Sequence, residues 1–395
     1  MALALGKSIS LFFLIIFLLD VRAKGVESRW SMEGEEDLEL EKQLKMLNKP
    51  PVKSFQSKSG HIYDCIDIYK QPAFDNPLLK DHKLQMWPSS FPKGMPIYSN
   101  LRQNSTCPLG TALIRRTTKN DLIYGKTLQN HVKSHGINLK SGIDDGSHYA
   151  VMKTNVGEYY GASAKLIVYG FPLVKLDQVT ISQIWVIGGA GGPEDKINTV
   201  QAGWHVYPAI NGDSLTHLST FWTADGYKTG CFNFNCPGFV ALSPDFGPGS
   251  EITELSVYGG IQKSIEISIF KDQETGNWWL TYGHERSFVG YWPKELFNNL
   301  EKATEVDYGG TVYSPFNEPS PPMGSGHRID EGRNKTCYFL NVQLVNERNE
   351  LYDPKDNNVH LYADIIEYYD IYYEYESGPP DGCQFSYGGP GGYTR

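Results

Sequence analysis

Residues 264–283 read "SIEISIFKDQETGNWWLTYG", and the alternation in this stretch decides the fold class. Ile265, Ile267 and Ile269 are interleaved with Ser264, Glu266 and Ser268. A period of two puts the isoleucines on one face of a strand and the polar residues on the other. Thr275-Gly276-Asn277 then separates this strand from the apolar run Trp278-Trp279-Leu280, which is a hairpin signal. Working outward, "KLIVYGF", "QVTISQIWVIGG", "QAGWHVYPAI", "HLSTFWTADGY" and "CYFLNVQLVNE" repeat the pattern with turn residues between them. From Ser147 onward only "WPKELFNNL" reads as helical, with Pro293 suited to a first turn. Many short strands and few helices predict an all-β, antiparallel β-sandwich over residues 147–395. No internal repeat points to a propeller. The 25 Tyr, 8 Trp and 40 Gly of the 395 residues agree with a turn-rich β protein.

The chain before Ser147 differs. "MALALGKSISLFFLIIFLLDVRAKG" has the form of a secretory signal over residues 1–23: Lys7, then the apolar Ile9 to Leu19, then Val21-Arg22-Ala23 as a cleavage site. The apolar run is shorter than the roughly 20 residues of a membrane span, and no other segment approaches that length. The expectation is a secreted protein with no membrane span in its mature chain. Leu40, Leu44 and Leu47 fall on one helical face, acids early and lysines late, until Pro50-Pro51 stops the helix. Residues 24–140 read as a small accessory region with one strand-like run, ending in the linker "GKTLQNHVKSHGINLKSGIDDG". The net charge of −9 is spread along the chain with no basic block, so nucleic acid is not expected as a partner.

An oxidising compartment makes disulfides the simplest use of six cysteines. Sequence order suggests Cys65–Cys107, Cys231–Cys236 and Cys337–Cys383, one of fifteen possible connectivities. Asn104 and Asn334 head glycosylation sequons. Gly212-Asp213-Ser214-Leu215 spells a serine-hydrolase signature, but in a loop of a β region it is a chance match. "GGAGGP" (188–193) lacks the Lys-Ser/Thr of a phosphate loop and reads as a hairpin loop. His131 and His135 have helical metal spacing but lie in the linker, and His205 and His327 are isolated. Neither a metal nor another cofactor is expected.

Longer motifs carry a resemblance. "DCIDIYKQPAFDNPLLKDHKLQ" resembles the activation-peptide domain of the plant neprosin family. "QAGWHVYP", "FWTADGYKTGCFNFNCPGFV", "GNWWL", "GYWP", "VDYGGTVY", "MGSGH" and "YGGPGG" are similar, in order, to that family's peptidase domain. The resemblance implies a zymogen whose mature β-sandwich is a glutamic peptidase cleaving after proline at acid pH. Its two glutamates lie just before Ala-Gly-Trp and just after Trp-Gly-Gly, and they share one proton over one water.

Here those positions are Gln201 and Thr311. An amide can donate to an oxyanion, but a threonine hydroxyl without a base cannot activate water. Asp307, four residues before Thr311 on the same strand face, is about 13 Å away along the strand and too far to replace it. Glu295 and Glu301 are expected to face solvent. Trp204, Trp222, Tyr227, Trp292 and Tyr308 are candidates for a groove against which prolines stack. The expected function is that of a catalytically inactive homologue that binds extended or proline-rich chains in the apoplast, the cell wall or the vacuole. The alternatives are an active acid peptidase with a Gln-based dyad, or a cell-wall carbohydrate-binding or scaffold protein. Residues 24 to about 140 are expected to stay docked over the groove unless another protease removes them.

Overall fold

The alternation at 264–270 becomes one of nine strands in a wide antiparallel sheet. The structure is a computed structural model that describes residues 37–95, 105–125, 146–374 and 382–394. The chain divides into two units, Met1–Met46 and Leu47–Arg395. In the first, residues 37–46 are helical, and the helix ends at 47, just short of Pro50-Pro51 as expected.

The second unit holds three sheets. The nine-stranded sheet runs Val240–Ala241, Ser287–Trp292, Trp278–Tyr282, Ser264–Lys271, Gly161–Ile167, Cys337–Val345, Gln384–Gly388 and Asp370–Glu374, with Leu351–Tyr352 paired to Cys337–Val345. Lys271 pairs with Trp278 across the expected hairpin. The seven-stranded sheet runs Val359–Ala363, Ser147–Thr154, Glu305–Tyr313, Val179–Gly188, Asn198–Val206, His217–Thr223 and Cys231–Phe232. Gly188 pairs with Asn198, so the glycine-rich stretch is a hairpin loop, as the sequence suggested.

Alternation fixes what lies between the two sheets. Ile184, Val200, Ala202, Trp204, Val306 and Tyr308 from the seven-stranded sheet meet Leu166, Ile267, Trp278, Trp292 and Phe339 from the nine-stranded sheet in one core. The fold is an antiparallel β-sandwich. Both faces of the nine-stranded sheet are covered, which explains why "NWWL" reads as a continuous apolar run rather than an alternating one. Trp278 faces the sandwich core. Trp279, Phe270 and Tyr291 face outward beneath Ala73, Met95, Phe74 and Phe91 of the N-terminal region.

That N-terminal region is more ordered than its sequence suggested. It forms a three-stranded sheet, Lys53–Gln56, Ile62–Asp67 and Thr111–Arg115, stapled by Cys65–Cys107. Leu113 N–H donates to the Ser243 carbonyl and Cys107 N–H to that of Pro244, which ties this sheet to the edge of the sandwich. All three strands are short, and the third lies far along the chain from the hairpin formed by the first two, so no local pattern marks the sheet.

Two expectations are corrected. "WPKELFNNL" forms only a short 3-10 turn, Lys294–Leu296, and Asn298 is drawn off instead to bond Asn198. The third expected disulfide is also absent: Cys231–Cys236 forms, but Cys337 and Cys383 are free thiols. The register explains this. Cys337 pairs with Tyr387 and Phe339 with Phe385, while Cys383 lies beside Val342. The two cysteines are therefore offset by four to five residues, about 13 Å or more along the strands, against the roughly 4.4–6.8 Å between Cα atoms that a disulfide needs.

No helix among the described residues is long and apolar enough to cross a membrane. Asn104 lies outside the described residues. Asn334 is exposed, on a residue with φ +67° in a turn, where a sugar would meet solvent.

Candidate functional site

The outward face of the seven-stranded sheet carries both Gln201 and Thr311. On Asn198–Val206, Val200, Ala202 and Trp204 point into the core, so Thr199, Gln201, Gly203 and His205 point outward. On Glu305–Tyr313 the same parity sends Val306 and Tyr308 inward, with Glu305, Asp307, Gly309 and Thr311 outward. The register orders this face into rows. One row contains Lys153, Asp307, Trp185, Gln201 and Phe221; the next contains Val151, Gly309, Gln183, Gly203 and Ser219. The third contains Tyr149, Thr311, Ile181, His205 and His217.

Gln201 and Thr311 therefore stand on a diagonal, with Gln183 between them. Each diagonal step is about 7–8 Å, so the two ends are roughly 14 Å apart at Cα. Gly203 and Gly309 flank Gln183 in its own row and raise no side chain there. A Cβ at Gly203 would come 2.5 Å from the Gln183 Cα, so only glycine lets the two strands pack at this point.

Gln201 is buried and fully engaged. Its Oε1 accepts from Gln183 Nε2 at 2.7 Å, and its Nε2 donates to the Tyr227 hydroxyl at 3.1 Å and to Thr199 Oγ1 at 3.5 Å. Tyr227 reaches this point from a left-handed backbone, φ +64°, that follows Gly226 at φ +69°. Such a conformation is uncommon for a large side chain, and here it turns the ring onto Phe221, with centroids 5.9 Å apart and planes 10° from parallel. Burial raises the Tyr227 hydroxyl well above its ordinary pKa, so it stays a neutral partner for the amide. Thr311 is half-buried at the other end of the diagonal.

Beside Gln201's row opens a cavity of about 250 Å³, walled by Tyr149, Val151, Trp185, Ile187, Ile197 and Tyr227. This is below the roughly 300–1,000 Å³ of drug-sized ligand sites, a space for one or two residues of a chain. Its polar floor is Lys153, bonded to Glu305 at 2.7 Å and to Asp307 at 2.5 Å. Burial, aided by Glu305 next door, pushes the Asp307 carboxyl up to about 7 despite Lys153. Its second oxygen, Oδ1, is buried and has no hydrogen-bond partner.

The expected groove aromatics separate by parity. Trp204, Trp292 and Tyr308 are fully buried in the sandwich core, not in the groove. Trp204 donates to the Ile167 carbonyl and Tyr308 to that of Gln343, so their polar atoms are satisfied inside the core. Trp222 is half-buried against the same core, edge-on to Phe297. Tyr227 alone of the five lines the cavity. The sequence held the signal: Trp204 is three residues from Gln201 and Tyr308 three from Thr311, an odd spacing that places each on the opposite face. Gln183 and Trp185, missed before, have the right parity within "QVTISQIWVIGG".

Asp307 has a nearer relation to Gln201 than to Thr311. Along its strand it is distant from Thr311, but across the sheet it shares Gln201's row, two strands away. The relevant separation is therefore about 10 Å rather than 13 Å, with Trp185 between. Glu295, beside His82, and Glu301 are both exposed; neither lines the cavity.

Part of the N-terminal region covers this face. Tyr124 packs with Val179, Ile181, Tyr207, Ile210 and Tyr313, at the Thr311 row. The Gln201–Asp307 row and the cavity lie beyond it.

The Neprosin family profile matches residues 176–390, more than half of the chain. The chain belongs to the neprosin family. The family's activation-peptide profile matches residues 54–153, which span the three-stranded sheet and run to the end of the Ser147–Thr154 strand. In the fold that last strand sits inside the seven-stranded sheet, between Val359–Ala363 and Glu305–Tyr313. Among solved structures, the chain is similar to Scytalido-glutamic peptidase bound to a peptide-based transition-state analogue, at 10% identity and a TM-score of 0.32, over 61% of this chain and 97% of that one. It is also similar to SCP-B, an Eqolisin-family peptidase in complex with the tripeptide Ala-Ile-His, at 10% identity and a TM-score of 0.29, over 61% of this chain and 96% of that one.

Proposed function

We propose that this neprosin-family protein is secreted and binds an extended, proline- or aromatic-bearing polypeptide along the outward face of its seven-stranded sheet without cleaving it. The observation that carries this reading is the occupation of the Gln201 amide. Its oxygen accepts from Gln183, its nitrogen donates to Tyr227 and Thr199, and the far end of the diagonal is a threonine. Nothing on that diagonal can take a proton from water, the step a glutamic dyad performs. The apolar cavity beside it, with Trp185, Tyr149 and Tyr227 in its wall, suits a proline ring or an aromatic side chain. Two formed disulfides and the signal-like leader support secretion to the apoplast or cell wall.

The test is a pair of measurements on pure secreted protein, binding and hydrolysis of proline-containing peptides between about pH 2 and 7, the span over which carboxyl dyads titrate. Saturable binding without turnover supports the reading. Turnover contradicts it.

A second reading, an active acid peptidase with an altered dyad, draws on Asp307. That carboxyl shares Gln201's row, is pushed up to about 7 and keeps one oxygen free. Under this reading Asp307→Asn abolishes a hydrolysis that Thr311→Ala leaves intact.

A further inference from the structure

At the end of the third row, the outward face meets the N-terminal region through three residues far apart in sequence. His61 closes the turn Ser57–His61, just before the strand Ile62–Asp67. Asp213 follows the short helix Pro208–Asn211, whose end is turned by Gly212 at φ +80°. His217 opens the strand His217–Thr223. One ligand atom from each lies within 4.8 Å of the others. We propose that His61, Asp213 and His217 bind one divalent metal ion of the zinc class, which clips the activation-peptide region onto the sandwich.

The hydrogen-bond geometry points to a cation. His217 Nδ1 lies 3.0 Å from the Gly249 carbonyl, which can only accept, so the proton sits on Nδ1. That leaves the Nε2 lone pair 3.0 Å from Asp213 Oδ1, another atom that can only accept. A neutral imidazole cannot satisfy both, so a proton or a metal ion must stand between Nε2 and the carboxylate. An imidazole whose Nδ1–H is held by a backbone carbonyl is the usual arrangement of a metal-bound histidine, the carbonyl fixing both tautomer and ring direction.

The remaining geometry agrees. His61 Nε2 approaches the other oxygen of the same carboxylate at 2.6 Å. The two rings stand 77° apart with centroids at 5.3 Å, so their Nε2 atoms converge on the carboxylate instead of stacking. Two imidazoles and a carboxylate are a zinc ligand set that leaves a fourth position free. At metal–ligand distances of about 2.0–2.2 Å the donors of a tetrahedral site stand roughly 3.3 Å apart, so the shortest contact opens by a fraction of an ångström. The His61 and Asp213 side chains retain 12% and 21% of their exposure, which leaves an entry path. Arg115 Nε–H donates to His61 Nδ1 at 3.4 Å, a long bond that sets the Nε2–H tautomer in the metal-free chain, and Arg115 is itself paired with Asp121 at 3.2 Å. Ligation through His61 Nε2 moves the proton to Nδ1 and gives up that bond. His61 and Asp213 are 152 residues apart, so an ion here joins the activation-peptide region to the sandwich and holds it over the Thr311 row.

The experiment titrates Zn2+ alone into the full chain at neutral pH, following heat of binding and the unfolding midpoint, with Co2+ as a spectroscopic probe of tetrahedral N/O ligation. The expected result is one saturable equivalent, a midpoint raised by a few degrees at about a hundred times Kd, and visible Co2+ bands. All three signals disappear in His61→Ala and in the isosteric Asp213→Asn, and all persist in His327→Ala, where the histidine instead stacks on Tyr258. Asp213→Asn keeps the test decisive if His61→Ala folds poorly. No saturable binding by wild type, or one equivalent that survives both substitutions, overturns the proposal.

Discussion

At the residue scale Gln201 is held by three side chains, Gln183, Tyr227 and Thr199. Tyr227→Phe removes the nearer acceptor of the Gln201 amide and should cost about 1–3 kcal/mol of stability, the scale of a buried donor left unpaired. The unfolding midpoint should fall accordingly, while the ring stays stacked on Phe221 and keeps the cavity wall in place. Asp307 gives a pH test. Its carboxyl is raised from 3.8 to about 7, so the folded chain holds that proton more tightly than the unfolded chain does. The resulting stability is fully present below the ordinary carboxylate range and is lost as the pH rises through about 7. Asp307→Asn should therefore remove a component of the decline in stability between pH 4 and 7, read as a shallower midpoint-versus-pH curve. A curve that superimposes on wild type would contradict the burial argument. The resemblance singled out Gln201 and Thr311 in the sequence, but not their partners. Gln183 and Asp307 become neighbours of the site only through the pairing of strands, which no local pattern encodes.

At the scale of elements, strand parity sorts the aromatics. Trp204→Ala should cost about 3–5 kcal/mol of stability by leaving a cavity in the core. Trp185→Ala, on the outward face of the neighbouring strand, should cost stability as well, because Trp185 is buried with Val151 and Ile187, but it alone should also reduce peptide binding, and paired unfolding and binding curves separate the two effects. The cysteines give another test at this scale. Alkylation of denatured, unreduced protein should label two thiols, at Cys337 and Cys383. In the native state Cys337 should resist, because burial pushes its thiol up to about 12 and leaves little thiolate. A single disulfide-linked peptide containing both would contradict the register. The strands, the hairpin at 271–278 and the sandwich class could be read from alternation and turn residues. The third disulfide could not, because order along the chain says nothing about register.

At the scale of the whole molecule, the N-terminal region is both a cover for the outer face of the nine-stranded sheet and a partial cover for the candidate groove. Ala73 and Met95 shield Phe270, Trp279 and Tyr291, so removing residues up to 125 would expose a large aromatic surface. Tyr124 packs over Ile181 at the Thr311 row. The sequence reading anticipated a cover but treated it as a loosely built accessory region. Its attachment depends on pairs such as His61–Asp213, separated by 152 residues, and no periodicity reports such a pair.

The central claim is a groove that keeps its shape and has lost its carboxylates. The most direct measurement compares wild type with Gln201→Glu/Thr311→Glu, each with its N-terminal region trimmed, on a proline-containing reporter peptide from about pH 2 to 7, the range of a carboxyl dyad. The account predicts a silent wild type and acid-dependent cleavage by the double variant, its two new carboxyls reaching toward each other above Gln183. Cleavage by wild type, lost on Asp307→Asn, would contradict it.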